Sequence, residues 1–265
     1  MSGKIVVGVG GWTFERWRGT FYPEGLTQKR ELEYLGQHLT SVEINGTFYG
    51  SQKPTSFKKW HDEVPEGFIF ALKGTRYVTN RRVLAEATES LNRFMSSGVT
   101  LLAEKLGPIN WQLAATKKFD AEDFAAFLKL LPHEQDGIRI RHAVEARHES
   151  FCNAQAVQLA REHGVALVVG ADGKFPTIAD PTTDFVYLRL MGTSEKNKTG
   201  YSKAQIDAWA ERLKIYAAGD VPDELPSFGP KPEKKPRDIF AYVISGAKEK
   251  NPAAAMALIK RLSAK

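Results

Sequence analysis

Short apolar runs recur along the chain, separated by longer stretches of helical period. The runs at 4–10 (KIVVGVG), 41–48 (SVEINGTF), 68–74 (FIFALKG) and 106–113 (LGPINWQL) predict four strands. Four more follow at 141–148 (RHAVEARH), 165–172 (VALVVGAD), 185–192 (FVYLRLMG) and 239–246 (IFAYVISG). Helical patterns occupy 29–39, 83–97, 121–131, 153–164, 202–218 and 252–262. Gly164 and Gly219 are placed as C-terminal caps, and Asp120, Asn153 and Asn251 as N-terminal caps. Strands that alternate with helices pair in parallel through right-handed crossovers. Eight such units in 265 residues have the size of a single α/β domain spanning 1–265, a (β/α)8 TIM barrel. A doubly wound open sheet is the competing architecture. The biased segment 219–238, with five prolines and a basic end, reads as a solvated loop on the N-terminal face, with a docking segment for a partner as the alternative.

In a parallel barrel one side of each strand meets helices and the other points inward, and inward residues near the C-terminal end line the site. Alternation assigns Val42/Ile44, Phe70/Leu72, Val144/Ala146 and Leu188/Leu190 to the helix side. The inward sets are then Glu43/Asn45, Lys73, Glu145/Arg147 and Arg189, joined by Gln112 and Asp172. Isolated buried charges are costly, so such a set is kept only when paired or used. Paired, it would form a structural lattice of Glu145 with Arg147, Glu43 with Lys73 and Asp172 with Arg189. Used, its three cations exceed what a neutral ligand needs.

Composition narrows the partners. The formal net charge of +6 favours phosphate-bearing ones, a small molecule or a nucleic acid. The loops after the strands carry Arg16, Arg18, Lys53, Arg76, Arg81, Arg82, Lys117, Lys118, Lys174, Lys196 and Lys198, with fewer acids among them. Trp12, Phe14, Trp17, Phe21, Tyr22, Tyr49, Tyr77 and Tyr201 are interspersed, and Trp12 and Tyr49 are the aromatic substrate-binding candidates. The plainer reading has Trp12, Trp17 and Tyr22 plugging the barrel top. A lone Cys152, with no apolar run of membrane length and no signal peptide, points to the cytoplasm and away from a membrane. No dinucleotide fingerprint or phosphate loop occurs, so no nucleotide cofactor is expected. His148 is the histidine placed for proton transfer, whereas His142 falls at the opposite end of its strand. A metal held by His148, Glu43, Glu145 and Asp172 is the less favoured option, because Lys73 and Arg147 would have to stand aside.

The stretches GGWTFERWRGTFYP, VEINGTFYG, FIFALKG, VEARHESF and VYLRLMG…GY resemble, in order, the motifs of the domain-of-unknown-function 72 family (YecE-like), over roughly residues 5–260. The resemblance implies a TIM barrel and brings no established activity. It maps the family's recurring polar positions onto Glu43, Asn45, Lys73, Gln112, Glu145, Arg147, His148, Asp172 and Arg189. It also implies a fold likeness to endonuclease IV and xylose isomerase barrels, hence phosphodiester or sugar chemistry by analogy. Met191 and Asn80 stand where the family often has histidine, which weakens a His-driven or metal-dependent reaction.

The expected function is a hydrolase acting on a nucleotide or nucleic-acid fragment. Glu43 or Glu145 would be the base and His148 the acid, while Lys73, Arg147 and Arg189 bind phosphate. The alternatives are a glycosidase or sugar isomerase using a Glu43/Glu145 pair, and a non-catalytic nucleic-acid binder.

Overall fold

The computed structural model describes residues 2–264. Eight parallel strands form the centre: β1 (Ile5–Gly10), β2 (Ser41–Ile44), β3 (Ile69–Lys73), β4 (Leu106–Gln112), β5 (His142–Glu145), β6 (Ala166–Leu167 and Val169–Ala171), β7 (Phe185–Leu190) and β8 (Asp238–Val243). Each pairs with its neighbour in chain order, and β8 pairs with β1. The first segment of β6 pairs with β5 and the second with β7, which closes the sheet into a barrel. All eight expected strands are present in the expected order.

Period 2 divides the core in two. Val42, Ile44, Phe70, Leu72, Val144, Ala146, Leu188 and Leu190 join the layer between barrel and helices. Val6, Ala71, Ala143, Ala166, Val168, Phe185, Tyr187, Phe240, Tyr242 and Ile244 form a separate cluster inside the barrel. A Cβ at Gly8 would lie 2.1 Å from the Ser41 carbonyl oxygen, so β1 can approach β2 only with glycine there.

Among the described residues, seven helices of eight residues or more surround the barrel: α1 (Glu31–His38), α2 (Pro54–Glu63), α3 (Thr88–Met95), α4 (Ala121–Leu130), α5 (Ala154–Glu162), α6 (Lys203–Ala217) and α7 (Asn251–Ser263). Asp120 and Asn153 cap α4 and α5 through the amides of Asp123 and Ala156. Asn251 is not a cap. It is the first residue of α7, and its buried Oδ1 accepts from the Thr193 hydroxyl. Helix α2 lacks a sequence signal because only Phe57 of its residues is buried.

Three expected strands end three or more residues early, β8 among them at Val243. β2 stops at Ile44, and Gly46–Tyr49 forms a single helical turn, so Asn45 starts that turn instead of continuing the strand. β5 stops at Glu145.

The sixth unit has no helix, and residues 172–184 are irregular. The Pro-rich segment packs along that side of the barrel, with half of its residues still exposed to solvent. Ala179 N–H donates to the Pro226 carbonyl, and Phe228 and Gly229 N–H donate to the buried Asp180 carboxylate at 2.8 and 2.9 Å. Val221, Leu225 and Phe228 pack on the outer core. At the far end, the buried Arg237 guanidinium donates to the carbonyls of Thr183, Gly219, Glu233 and Lys235.

Candidate functional site

The C-terminal ends of β2, β3, β4, β5 and β7 bring Glu43, Lys73, Asn110, Gln112, Glu145 and Arg189 together, because these residues occupy the inward side of strands held in adjacent register. Arg189 is the hub. Its Nη2 donates to Glu43 Oε1 at 2.9 Å and its Nη1 to Glu145 Oε2 at 2.6 Å, all three side chains being almost fully enclosed. Glu145 Oε1 also accepts from Arg147 Nε at 2.7 Å. Gln112 Oε1 accepts from Arg147 Nη2 at 2.7 Å and from Arg189 Nη1 at 3.3 Å. Burial pushes the Glu145 carboxyl up, but the guanidiniums of Arg189 and Arg147 outweigh it and hold the group below its ordinary range. Burial alone would lower the Arg189 value, and Glu145 and Glu43 together raise it.

Two members of the cluster were not anticipated. The Tyr187 hydroxyl donates to Glu43 Oε2 at 2.6 Å, and Asn110 Nδ2 lies 3.4 Å from both Glu43 Oε2 and Glu145 Oε2. The signal for both was already in the alternation, since Tyr187 and Asn110 stand two residues before Arg189 and Gln112. Buried Asn110 Oδ1 and Arg189 Nε have no protein partner.

Lys73 sits beside this lattice without joining it. Its ammonium lies 4.2 Å from the centre of the Phe48 ring, and no carboxylate among the described residues pairs with it. Burial, and then the Arg189 guanidinium, push its amine down to about 8, against the opposing pull of Glu43 and Glu145. The lattice pairings expected from sequence therefore hold for Glu145 with Arg147 and fail elsewhere. Glu43 pairs with Arg189, whose long side chain crosses the barrel, and not with Lys73.

Asp172 does not point inward. It lies just past β6 at φ +58°, and this left-handed conformation turns its carboxylate outward. There it accepts from Tyr201 O–H at 3.0 Å and from Trp209 Nε1 at 2.8 Å. It joins neither Arg189 nor a metal set, and among the described residues no three His, Cys, Asp or Glu side chains are grouped to hold a metal ion. His148 makes its hydrogen bonds to Ser150, capping the short turn Glu149–Phe151. His142 is buried on β5, where its Nδ1 accepts from Trp111 Nε1 at 3.0 Å.

The rim is less cationic than the residue count implies, because Arg16 pairs with Glu249, Arg18 with Glu31 and Lys117 with Asp123. Arg147 stacks on Phe175, its guanidinium 4.3 Å from the ring centre, and its Nη1 has no hydrogen-bond partner among the described residues. Trp12 and Asn45 line a cavity of about 310 Å³ beside the lattice, whereas Tyr49 is largely exposed and touches Phe48 edge-on.

A family model described as "Protein of unknown function DUF72" matches residues 6–265. UPF0759 protein YunF of Bacillus subtilis is 28% identical over 78 residues, a stretch spanning 29% of this chain and 27% of that protein. The crystal structure of a DUF72 family protein from Thermotoga maritima superposes with a TM-score of 0.74 at 22% identity, covering 98% of this chain and 100% of that one. A DUF72 family protein from Enterococcus faecalis gives 0.71 at 17%, covering 98% and 96%. These likenesses establish the barrel, and the family match over nearly the whole length establishes that the chain belongs to the DUF72 family.

Proposed function

We propose that the C-terminal mouth of the barrel is the active site of an enzyme acting on a phosphate-bearing small molecule, with hydrolysis as the reaction class and Lys73 as the proton-transfer group. The observation that carries the reading is the state of Lys73. It is an enclosed ammonium with no carboxylate partner, beside two guanidiniums, in a position where its proton is readily exchanged near neutral pH. An anion entering the mouth would supply the missing counter-charge.

This assignment moves the acid–base role away from the carboxylates. Glu145 is held below its ordinary range by two guanidiniums and is a weak base. Glu43 has both oxygens engaged, by Arg189 and by Tyr187 with Asn110. The same commitment disfavours a glycosidase, which needs one of its two carboxyls protonated at working pH. His148 bonds Ser150 through Nδ1 and forms no hydrogen bond with Lys73, Glu43, Glu145 or Arg147 among the described residues, so the reading gives the proton transfer to Lys73.

The test is a thermal-shift screen of inorganic phosphate, sugar phosphates and nucleotides, repeated on Lys73→Met. A bound anion raises the melting midpoint by mass action, and the shift should vanish in the variant. The variant by itself should be more stable than wild type at pH 7. A buried lysine with a depressed value costs stability while both states are protonated, and that cost disappears as pH rises through the interval from about 8 to 10.5. Absence of any shift across these anions, or a shift that survives in Lys73→Met, would overturn the proposal.

A further inference from the structure

The lattice explains where a phosphate would be met but not what the rest of the ligand is. At the ends of β1 and β2 lies the cavity of about 310 Å³ lined by Gly11, Trp12, Asn45, Gly46, Gln52 and Trp60 among others. We infer that this cavity is a subsite for a flat heteroaromatic ring, so that the substrate of the mouth is a nucleotide-like molecule with its ring here and its phosphate at Lys73. The inference rests on the phosphate reading proposed above for the second half of that statement only.

Three observations carry it. First, two indoles form one wall, Trp12 and Trp60 meeting at 75° with centroids 5.3 Å apart. Each is only partly buried, which leaves apolar ring surface toward the cavity. Second, the side-chain amides of Asn45 and Gln52 line the same space, and neither forms a hydrogen bond within the protein among the described residues. An amide offers a donor and an acceptor on one edge, the pattern that reads the edge of a base. Third, glycines supply much of the lining. Gly11 adopts φ +71° with open space where a Cβ would stand, and a Cβ at Gly46 would meet only Gln52 Nε2, at 3.5 Å. Peptide planes without side chains leave room for a flat ring, which stacking on indole would hold.

Continuity with the phosphate end comes from one helical turn. Asn45 stands at the start of Gly46–Tyr49 and faces the cavity, while Phe48 of the same turn lies over the Lys73 ammonium. Lys248 at the cavity edge lies 4.2 Å above the Phe14 ring and, like Lys73, has no carboxylate partner among the described residues. The cavity is thus lined mainly by indole, amide and glycine with one ammonium at its edge, while Lys73 and Arg147 make the ionic part of the mouth.

The test compares nucleoside monophosphates, the matching nucleosides, ribose 5-phosphate and inorganic phosphate. Binding is read by tryptophan fluorescence and by melting midpoint, on wild type, Trp12→Leu, Asn45→Ala and Lys73→Met. At least one nucleoside monophosphate should bind about tenfold or more tighter than ribose 5-phosphate and quench indole emission. Trp12→Leu and Asn45→Ala should reduce its affinity to that of ribose 5-phosphate while leaving the response to inorganic phosphate intact. Ribose 5-phosphate binding as tightly as every nucleotide would overturn the ring subsite and leave the phosphate proposal standing. Nucleosides that bind and quench while no phosphate compound gains from its phosphate would support the ring subsite and remove the phosphate proposal. No response to any of these probes would overturn both.

Discussion

Replacing Arg189 by methionine tests the lattice at its hub. The substitution keeps an unbranched side chain of comparable reach but removes the cation between Glu43 and Glu145, both of which are buried. Removing one partner from a buried ion pair costs about 3–5 kcal/mol, because a charge is left uncompensated. Here Glu145 keeps Arg147 at 2.7 Å and Glu43 keeps the Tyr187 hydroxyl at 2.6 Å. Arg189 Nε already lacks a partner, so the native hub is itself imperfectly satisfied. The lower end of the range therefore applies, about 3 kcal/mol, or a fall in melting midpoint of roughly 6–12 °C for a domain of this size.

Urea unfolding at pH 7, followed by tryptophan fluorescence, measures the loss. The double variant Arg189→Met with Glu43→Gln should recover a large part of it, since the unpaired charge is then gone. A loss below about 1 kcal/mol would show that the two carboxylates do not depend on Arg189. So would a double variant no more stable than Arg189→Met alone. Either result would refute the lattice reasoning.

Two further outcomes follow from groups away from the mouth. Burial lowers the His142 imidazole to about 4, so the folded state keeps it neutral while the unfolded chain takes up a proton below 6.5. Stability should therefore fall as pH drops from about 6.5 toward 4, a slope that His142→Gln removes in urea titrations over that interval. Glu145 contributes in a lower window, its stabilisation being present above the ordinary carboxylate value of 4.5 and lost as pH falls below it. Arg237 ties the Pro-rich segment to four backbone carbonyls, so Arg237→Met should loosen residues 220–236 and speed their cleavage in limited proteolysis well before global unfolding. Unchanged cleavage would mean that Asp180 and the apolar contacts hold the segment without Arg237.

Much of the barrel was legible in the chain because its cause is local. A residue's side of a strand depends only on its parity, and a buried face selects apolar residues at every second position. That rule placed Val42 and Ile44 against helices and Glu43 inside, and it held Tyr187 and Asn110 in the same faces as Arg189 and Gln112. Helix α2 was illegible because its sequence is largely polar, with Phe57 as its one buried residue.

What the sequence determined by itself is the inward side of its strand for Glu43, Lys73, Gln112, Glu145 and Arg189. Which of them meet was decided by the tertiary structure. Arg189 reaches Glu43 from β7 to β2 because strand tilt and stagger bring those side chains to one height, a relation that spans 146 residues of chain. Asp172 left the interior because the chain turns left-handed just past its strand, which parity cannot register. The Pro-rich segment, composed like a solvated loop, lies on the flank of the sixth unit, which has no helix, with Asp180 there to accept its amides. Parity is a property of neighbours in sequence, whereas partner choice depends on distances that exist only once the barrel has closed.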